Sequence, residues 1–355
     1  MRLPVTAAIL AAFVLAAAVV AGNSSVAKAA TKYCDGPKVT WRTSFWGKRR
    51  AITEGMEYVA KAAKEATCGK FNIQLFYGEQ LSKSRENLDA IKVGAVQGAQ
   101  MCSSYHPGKV RALGVLDLPF LPIPNLDVMQ AVDTRMYETP EFKKSLGDWN
   151  AMYYMAMMLP QFEMMGRGKA PRTLEDWKGM RVRALGGMGK AMAGLGAVPT
   201  SMPASEVYTA LQRGTIDAVG FAYTYAFSAF KIDDLSTWYT TNMALGSLNC
   251  LFVVNKAAYA KLPAQYKTIL EEVRKPGYEA LKEAYYKKDK VNLPKWQAKK
   301  SLKPITYTED ELNKLRKVGG KPVWDEWVKQ NEAEGIPAQK LLDLVLKTAR
   351  ELSKK

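Results

Sequence analysis

One arginine in an apolar strand, Arg183, is the residue of this chain best placed to do chemistry. Val182, Ala184 and Leu185 flank it, a glycine-rich turn follows (Gly186, Gly187, Gly189), and an Ala/Met/Leu helix then runs to Gly194 and Gly196. A guanidinium cannot lose its proton, so an arginine carried into a core needs an anion or an equivalent set of acceptors. No neighbouring carboxylate offers itself, and the partner this implies is a ligand carboxylate gripped bidentately. The competing reading has Arg183 facing solvent on an edge strand, or paired with a distant Asp.

Other chemistries find little support. The chain has one histidine, His106, in a loop-like setting beside Pro107-Gly108, which argues against histidine metal sites and a Ser-His-Asp relay. There is no Gly-x-Ser-x-Gly elbow and no P-loop. Gly187-x-Gly189 follows a strand and opens a helix, but Met192 occupies the third glycine position of a dinucleotide turn. Glu79, Glu163 and Glu206 remain as carboxylates for acid–base work, although Glu206 fits the first turn of a helix, where the dipole favours it. The inventory fits a non-catalytic binding protein with no cofactor and no metal.

Several blocks around Arg183 carry a resemblance. Asp176-Trp177-Lys178-Gly179 leads to it; Gly196-Ala197 and Pro199 come one helix later; Met202 to Tyr208, Ala210-Leu211-Gln212 and Gly214 to Asp217 follow. Leu118-Pro119-Phe120-Leu121, Val254-Asn255-Lys256 and Leu262-Pro263 add to the set. In this order the blocks resemble the extracytoplasmic solute receptors of TRAP transporters, the DctP-like family, over nearly the whole chain beyond its leader. The resemblance implies a two-domain α/β fold of the periplasmic-binding-protein kind, with a hinge, crossing strands and a long helix spanning both domains. It further implies an organic acid held by Arg183, with Arg167 as a second, less constant basic contact, and delivery to TRAP permease membrane subunits.

The resemblance departs from the family's sugar-acid receptors at Asp217-Ala218-Val219-Gly220-Phe221, where those members carry a polar Asn contact. The keto-acid branch has an aromatic at the position of Phe221, although the acidic residue before it is Gly220 here. With Met101, Met164, Met165, Met188, Tyr223 and Tyr225 as further lining candidates, the expected pocket is apolar and adaptable. The expected solute is a monocarboxylate with an aliphatic or aromatic body, ahead of a dicarboxylate or a sialic-acid-like sugar. A secreted enzyme using a cleft carboxylate, or a sensory ligand-binding subunit, is the alternative on the same scaffold.

The elements that must position these residues alternate. Val39 to Thr43, Phe71 to Leu75 and Gln97 to Cys102 read as strands, separated by helices carrying Ile52, Met56, Val59, Ala60 and Ala63, then Leu88 and Ile91. Such alternation predicts a mostly parallel sheet covered by helices, with ligands at the carboxyl ends of the strands. Those ends supply Trp46, Glu79, Met101 and Tyr105; Gly187, Met188 and Phe221 are expected opposite, beside Arg183. Cys250 to Val254 is expected to return to the first domain, followed by a long helix interrupted near Pro276-Gly277. The domains drawn are 30–164 with 250–290, and 165–249 with 291–355.

Residues 1–29 form a separate unit: Arg2, an apolar run from Ala7 to Val20, and Ala27-Lys28-Ala29 as a small-residue cleavage site. Export to the periplasm with cleavage near Ala29 is expected, ahead of a retained anchor. The net charge of +17 comes from scattered lysines, a solvated surface that would attract anionic solutes rather than nucleic acid. Four cysteines permit three full pairings. Cys34 and Cys68 each precede a strand and, if those strands are parallel neighbours, start side by side, which favours their bridge. Cys102 and Cys250 are expected as small buried hydrophobes.

Overall fold

A computed structural model describes residues 33–353, so the leader and its cleavage near Ala29 lie outside the described residues. In chain order the strands are β1 (Val39–Ser44), β2 (Phe71–Phe76), β3 (Gly98–Cys102), β4 (Ala151–Ala156), β5 (Phe162–Gly166), β6 (Arg181–Arg183), β7 (Val198–Thr200), β8 (Ala218–Ala222), β9 (Trp238–Thr240), β10 (Cys250–Asn255) and β11 (Lys303–Ile305). They form two sheets, ordered β2-β1-β3-β10-β4 and β11-β9-β5-β8-β6-β7. Two α/β lobes result, as expected, and helices join them.

Each sheet has one strand that runs against its neighbours. β10 is antiparallel to β3 and β4, and β5 is antiparallel to β8 and β9. These are the strands that cross between lobes. A parallel α/β sheet points its carboxyl ends at the ligand side; a chain entering from that side must therefore run the opposite way. This direction decides where several residues fall.

The cysteines are the first case. Cys34–Cys68 is bridged, as favoured, with its Cα atoms 5.2 Å apart. Cys102 and Cys250, expected as free core residues, also form a disulfide. The last residue of β3 and the first of β10 sit directly opposite each other, and the antiparallel register brings their Cα atoms to 4.0 Å. The bridge lies at the cleft end of the first sheet, where the returning strand enters.

The long helix Ala264–Ala298 is continuous through Pro276 and Pro294, although an interruption was expected near Pro276-Gly277. A proline removes one helical hydrogen bond, and here packing outweighs that loss. Gly55 and Gly277 allow the backbones of the helix Glu54–Ala66 and the long helix to touch: a Cβ on Gly55 would lie 2.9 Å from the Gly277 carbonyl oxygen. Tyr266, near its start, stacks on Phe71 of the first lobe at 5.1 Å. Near its end Trp296 packs on Tyr239 of the second lobe and donates through Nε1 to Asp233 at 3.0 Å. One rigid rod thus touches both cores.

The segment 291–355, drawn from sequence as part of the second domain, is divided between lobes. Lys303–Ile305 joins the second sheet, whereas the helix Ala338–Ser353 packs on the helix Leu126–Tyr137 of the first lobe. Its strongly amphipathic sequence, with Leu341, Leu342, Val345 and Ala349 buried, needs an apolar partner but does not name which one.

Beneath the crossing segments lie two buried carboxyls. Asp117 accepts from Ser103 Oγ, Ser104 Oγ and the Asn249 amide, and burial still pushes its pKa up to about 6. Burial, with the Asp117 charge adding to it, pushes Asp133 up to about 8. An unfolded aspartate titrates near about 4, so between about pH 4 and about pH 8 these two groups hold more protons in the native state than in the unfolded one, and their contribution to stability falls as pH rises. Asp133→Asn should flatten that fall. Thermal unfolding of both proteins at about pH 5 and about pH 8 checks it, and identical pH dependence in the two would refute it.

Candidate functional site

Arg183 is the third residue of β6, between β7 and β8. Strand alternation puts Arg181 and Arg183 on one face of the sheet, with different outcomes. Arg181 is exposed at the strand's start and forms an ion pair with Asp217. Arg183, at the cleft end, is 1% exposed and has no carboxylate partner among the described residues. Asp217 is taken by the other arginine, and the absence of any carboxylate on Arg183 among the described residues removes the distant-Asp reading; the burial removes the solvent reading.

Carbonyl oxygens hold the guanidinium instead. Nη1 donates to Gly220 O at 2.9 Å, and Nε and Nη2 donate to Met202 O at 3.3 and 3.2 Å. Three of five N–H groups are so engaged. Burial presses the Arg183 pKa below its usual value, and Tyr105 opposes that shift; the group stays cationic at any physiological pH. The plane lies 4.7 Å from the Phe221 centroid.

Phe221 begins a chain of aromatic contacts linking the lobes. It stacks on Phe230 at 5.2 Å, and Arg50 lies 5.6 Å from the Phe230 centroid and 4.4 Å from that of Trp46. Trp46 meets Tyr105 edge-on at 5.5 Å, and the Tyr105 hydroxyl accepts from the Ala204 amide at 3.1 Å. Arg183, Phe221, Tyr105 and Trp46, named from sequence, are therefore gathered at one place, with Phe230 and Arg50 added.

A cleft of about 760 Å³ opens beside this group. Arg50, Lys48, Gly47 and Glu79 line it from the first lobe, Tyr208, Tyr225, Phe230 and Lys231 from the second, and Lys288 and Asn292 from the long helix. Arg183 lies one ring deeper, behind Phe221. A broader hollow of about 850 Å³ beside Asp127, Thr134 and Arg135 is more open and holds no buried unpartnered cation, so it is not the candidate.

The remaining sequence candidates divide. Glu79 lines the cleft and accepts from the Ser84 amide at 2.9 Å. Gly187 and Met188 start the helix Gly186–Gly194 against the Leu118-Pro119 segment; a Cβ on Gly187 would fall 2.6 Å from Pro119 Cδ, so the glycine serves close approach of the two segments. Met101 is buried in β3 and lines no part of the cleft. Arg167 is not a second clamp: it follows the antiparallel β5 at the far end of the sheet, where Nη1 donates to Gln212 O at 3.2 Å. Reading it as the opening of a forward-running strand series put it on the wrong side.

The carboxylates left for acid–base work are separately occupied. Glu163 accepts from Thr240 Oγ1 and from the Met243 and Ala244 amides, and Glu206 is exposed at the end of the short helix Ala204–Glu206. His106 is buried, and burial followed by the Lys109 charge lowers its pKa to about 4, leaving it neutral near pH 7. Arg50 and Phe230 were missed. In sequence Arg50 ends a Lys48-Arg49-Arg50 run that reads as one solvated cluster, and only the fold separates exposed Arg49, paired with Glu54, from buried Arg50.

A family model for bacterial extracellular solute-binding proteins, family 7 (DctP), matches residues 43–331. Among curated proteins, the chain is 29% identical over 247 residues to a monocarboxylate 2-oxoacid-binding periplasmic protein of Nostoc, 66% of this chain and 65% of that one. It is 28% identical over 222 residues to a C4-dicarboxylate-binding periplasmic protein of Rhodobacter capsulatus, 62% of this chain and 65% of that one. The matched stretch thus spans a little under two thirds of either relative. Among solved structures, a TRAP solute-binding protein of Rhodoferax ferrireducens with copurified benzoate superposes with TM-score 0.79 at 20% identity, over 89% of this chain and 99% of that one. A marine metagenome TRAP protein specific for aromatic acids superposes with TM-score 0.78 at 19% identity, over 88% and 99%.

Proposed function

The chain belongs to the bacterial extracellular solute-binding proteins of family 7, and from that premise we propose that it captures an organic acid on Arg183 and hands it to a TRAP-type membrane permease. The observation that carries this reading is a buried guanidinium without a carboxylate partner, set in an aromatic junction between two lobes. A carboxylate arriving there gains charge-assisted hydrogen bonds worth about 1.5–3 kcal/mol each, and the rings of Phe221, Phe230, Trp46 and Tyr105 take its apolar body. The benzoate and aromatic-acid ligands of the related structures agree with such a pocket. Membership of a solute-binding family supports a non-catalytic role and a place outside the cytoplasm; removal of the leader near Ala29 is our proposal from the small-residue pattern Ala27-Lys28-Ala29.

Because Arg183 is enclosed, solute entry requires the lobes to part. Besides the packing of Arg50 on Phe230, the Ala204 amide on the Tyr105 hydroxyl and Arg85 Nη2 donating to Ser201 hold them together across the cleft; the hinge is the pair of segments leading into β5 and β10. Thermal-shift screening of the mature protein against organic acids tests the function, since a ligand of the folded state raises the melting temperature with the logarithm of its concentration. Failure of every acid to do so would refute it. Tyr105→Phe removes one closing hydrogen bond and should weaken acid binding by roughly 0.5–1.5 kcal/mol, measured by titration calorimetry. An unchanged affinity would show that closure does not depend on this contact.

A further inference from the structure

The far end of the long helix carries a charge pattern that solute capture does not use. Between Lys287 and Lys303 lie seven lysines and a single carboxylate, Asp289, and from residue 290 to residue 308 the sequence has no Asp or Glu. Asp289 is engaged within the fold, where it accepts from the Thr224 amide and Oγ1. Lys287 pairs with Glu283 and Lys299 donates to Asp233 O. Lys290, Lys295, Lys300 and Lys303 are exposed and form no ion pair among the described residues. Several exposed lysines elsewhere are answered: Lys143 by Glu138, Lys190 by Glu326, Lys321 by Asp325 and Lys340 by Glu141.

The helix gives this charge a direction. Tyr285, Asn292 and Trp296 are its buried side, so helical periodicity turns positions 287, 291, 294 and 298 outward, with Lys290 and Lys295 on either flank. Two large side chains with apolar surface are left exposed on the same stretch, Val291 at 64% and Tyr286 at 49%. Val291 lies one turn from both Lys287 and Lys295, and Tyr286 one turn from Lys290. The strip runs about 16 Å along the helix. Lys300 and Lys303 follow at its end, the latter on the edge strand β11.

We propose that this strip docks on an anionic phospholipid surface. Its chemistry fits a headgroup layer better than a shaped protein partner, because every cation in it is a lysine, a point charge on a flexible stem, and none is the planar arginine that grips carboxylates bidentately. The stems can lie along the interface with their ammonium groups on phosphates, each adding attraction within a Debye length, while Tyr286 and Val291 enter the headgroup region. Lys288, beside Lys287 in the chain, lines the cleft together with Asn292. Docking on the strip therefore holds the cleft mouth beside a bilayer. This goes beyond the solute reading and does not rest on it.

The test is cosedimentation of the mature protein with vesicles of equal parts phosphatidylglycerol and phosphatidylcholine, against vesicles of phosphatidylcholine alone. In about 0.15 M salt, where charges are screened beyond about 8 Å, the anionic vesicles should be bound at least roughly tenfold more tightly, and the preference should vanish in about 1 M salt. Lys290→Gln, Lys295→Gln, Lys300→Gln and Lys303→Gln, made together, should weaken binding to the anionic vesicles by at least about tenfold. The control combines Lys143→Gln, Lys190→Gln, Lys321→Gln and Lys340→Gln; it removes the same charge from ion-paired positions and should change binding by less than about threefold. Circular dichroism confirms the fold of both variants. Equal binding to the two kinds of vesicle, or none to either, overturns the docking surface. Equal loss in the two variants also overturns it, since attraction would then follow net charge and not this strip. No solute enters these measurements, so either failure leaves the receptor reading standing.

Discussion

Arg183→Ala is expected to weaken acid binding by about 3–5 kcal/mol, because the ligand carboxylate would be desolvated in the closed site without its partner. The loss should appear mainly as faster dissociation, since removing a buried partner leaves diffusional encounter unchanged. Arg183→Lys keeps the charge but not the planar fork that now also spans Met202 O and Gly220 O, so it should recover only part of the affinity. Stopped-flow and calorimetric titration of both variants, alongside their melting temperatures, separate a lost clamp from a damaged lobe. A fall of less than about tenfold in Arg183→Ala with an intact fold would show that this guanidinium is structural.

Removing the Cys102–Cys250 bridge by paired serine substitution should cost more than removing Cys34–Cys68. The first closes a separation of 148 residues and the second one of 34. In the chain-entropy account the longer loop contributes about 5 kcal/mol and the shorter about 4. Position widens the gap: Cys102 and Cys250 join central strands, and two hydroxyls would remain there in a dry setting. Denaturant unfolding of each pair variant checks the ordering. A Cys34/Cys68 variant that proves the less stable of the two would contradict it.

Much of this fold is visible in the sequence because local rules and tertiary packing agree. Val39 to Thr43, Phe71 to Leu75 and Gln97 to Cys102 became β1, β2 and β3 nearly residue for residue, since apolar spacing, flanking helices and parallel order all demand the same thing. Arg183 was legible for the opposite reason, as a cation that breaks the pattern. What escaped depends on chain direction and long-range partners. Arg167 was misplaced because nothing in Phe162 to Gly166 announces that the strand runs backwards. Pro276 reads as a break until Gly55 meets Gly277. Cys102 and Cys250 read as core residues until β10 is laid beside β3. Arg50 is indistinguishable from Arg49 by composition or spacing, and its burial under Phe230 and Trp46 is a property of two lobes together.

The interleaving of the lobes has a bearing on how the molecule is made. β10 lies between β3 and β4, so the earlier sheet keeps a central gap until residues 250–255 have been delivered, and its outer helical cover is completed only by the closing stretch 338–353. A chain threaded amino end first must hold that half-built layer open while its whole sister lobe is supplied. Severing the gene at either crossing would yield no self-sufficient fragment, and stalled delivery before β10 would leave two bare strand edges inviting aggregation.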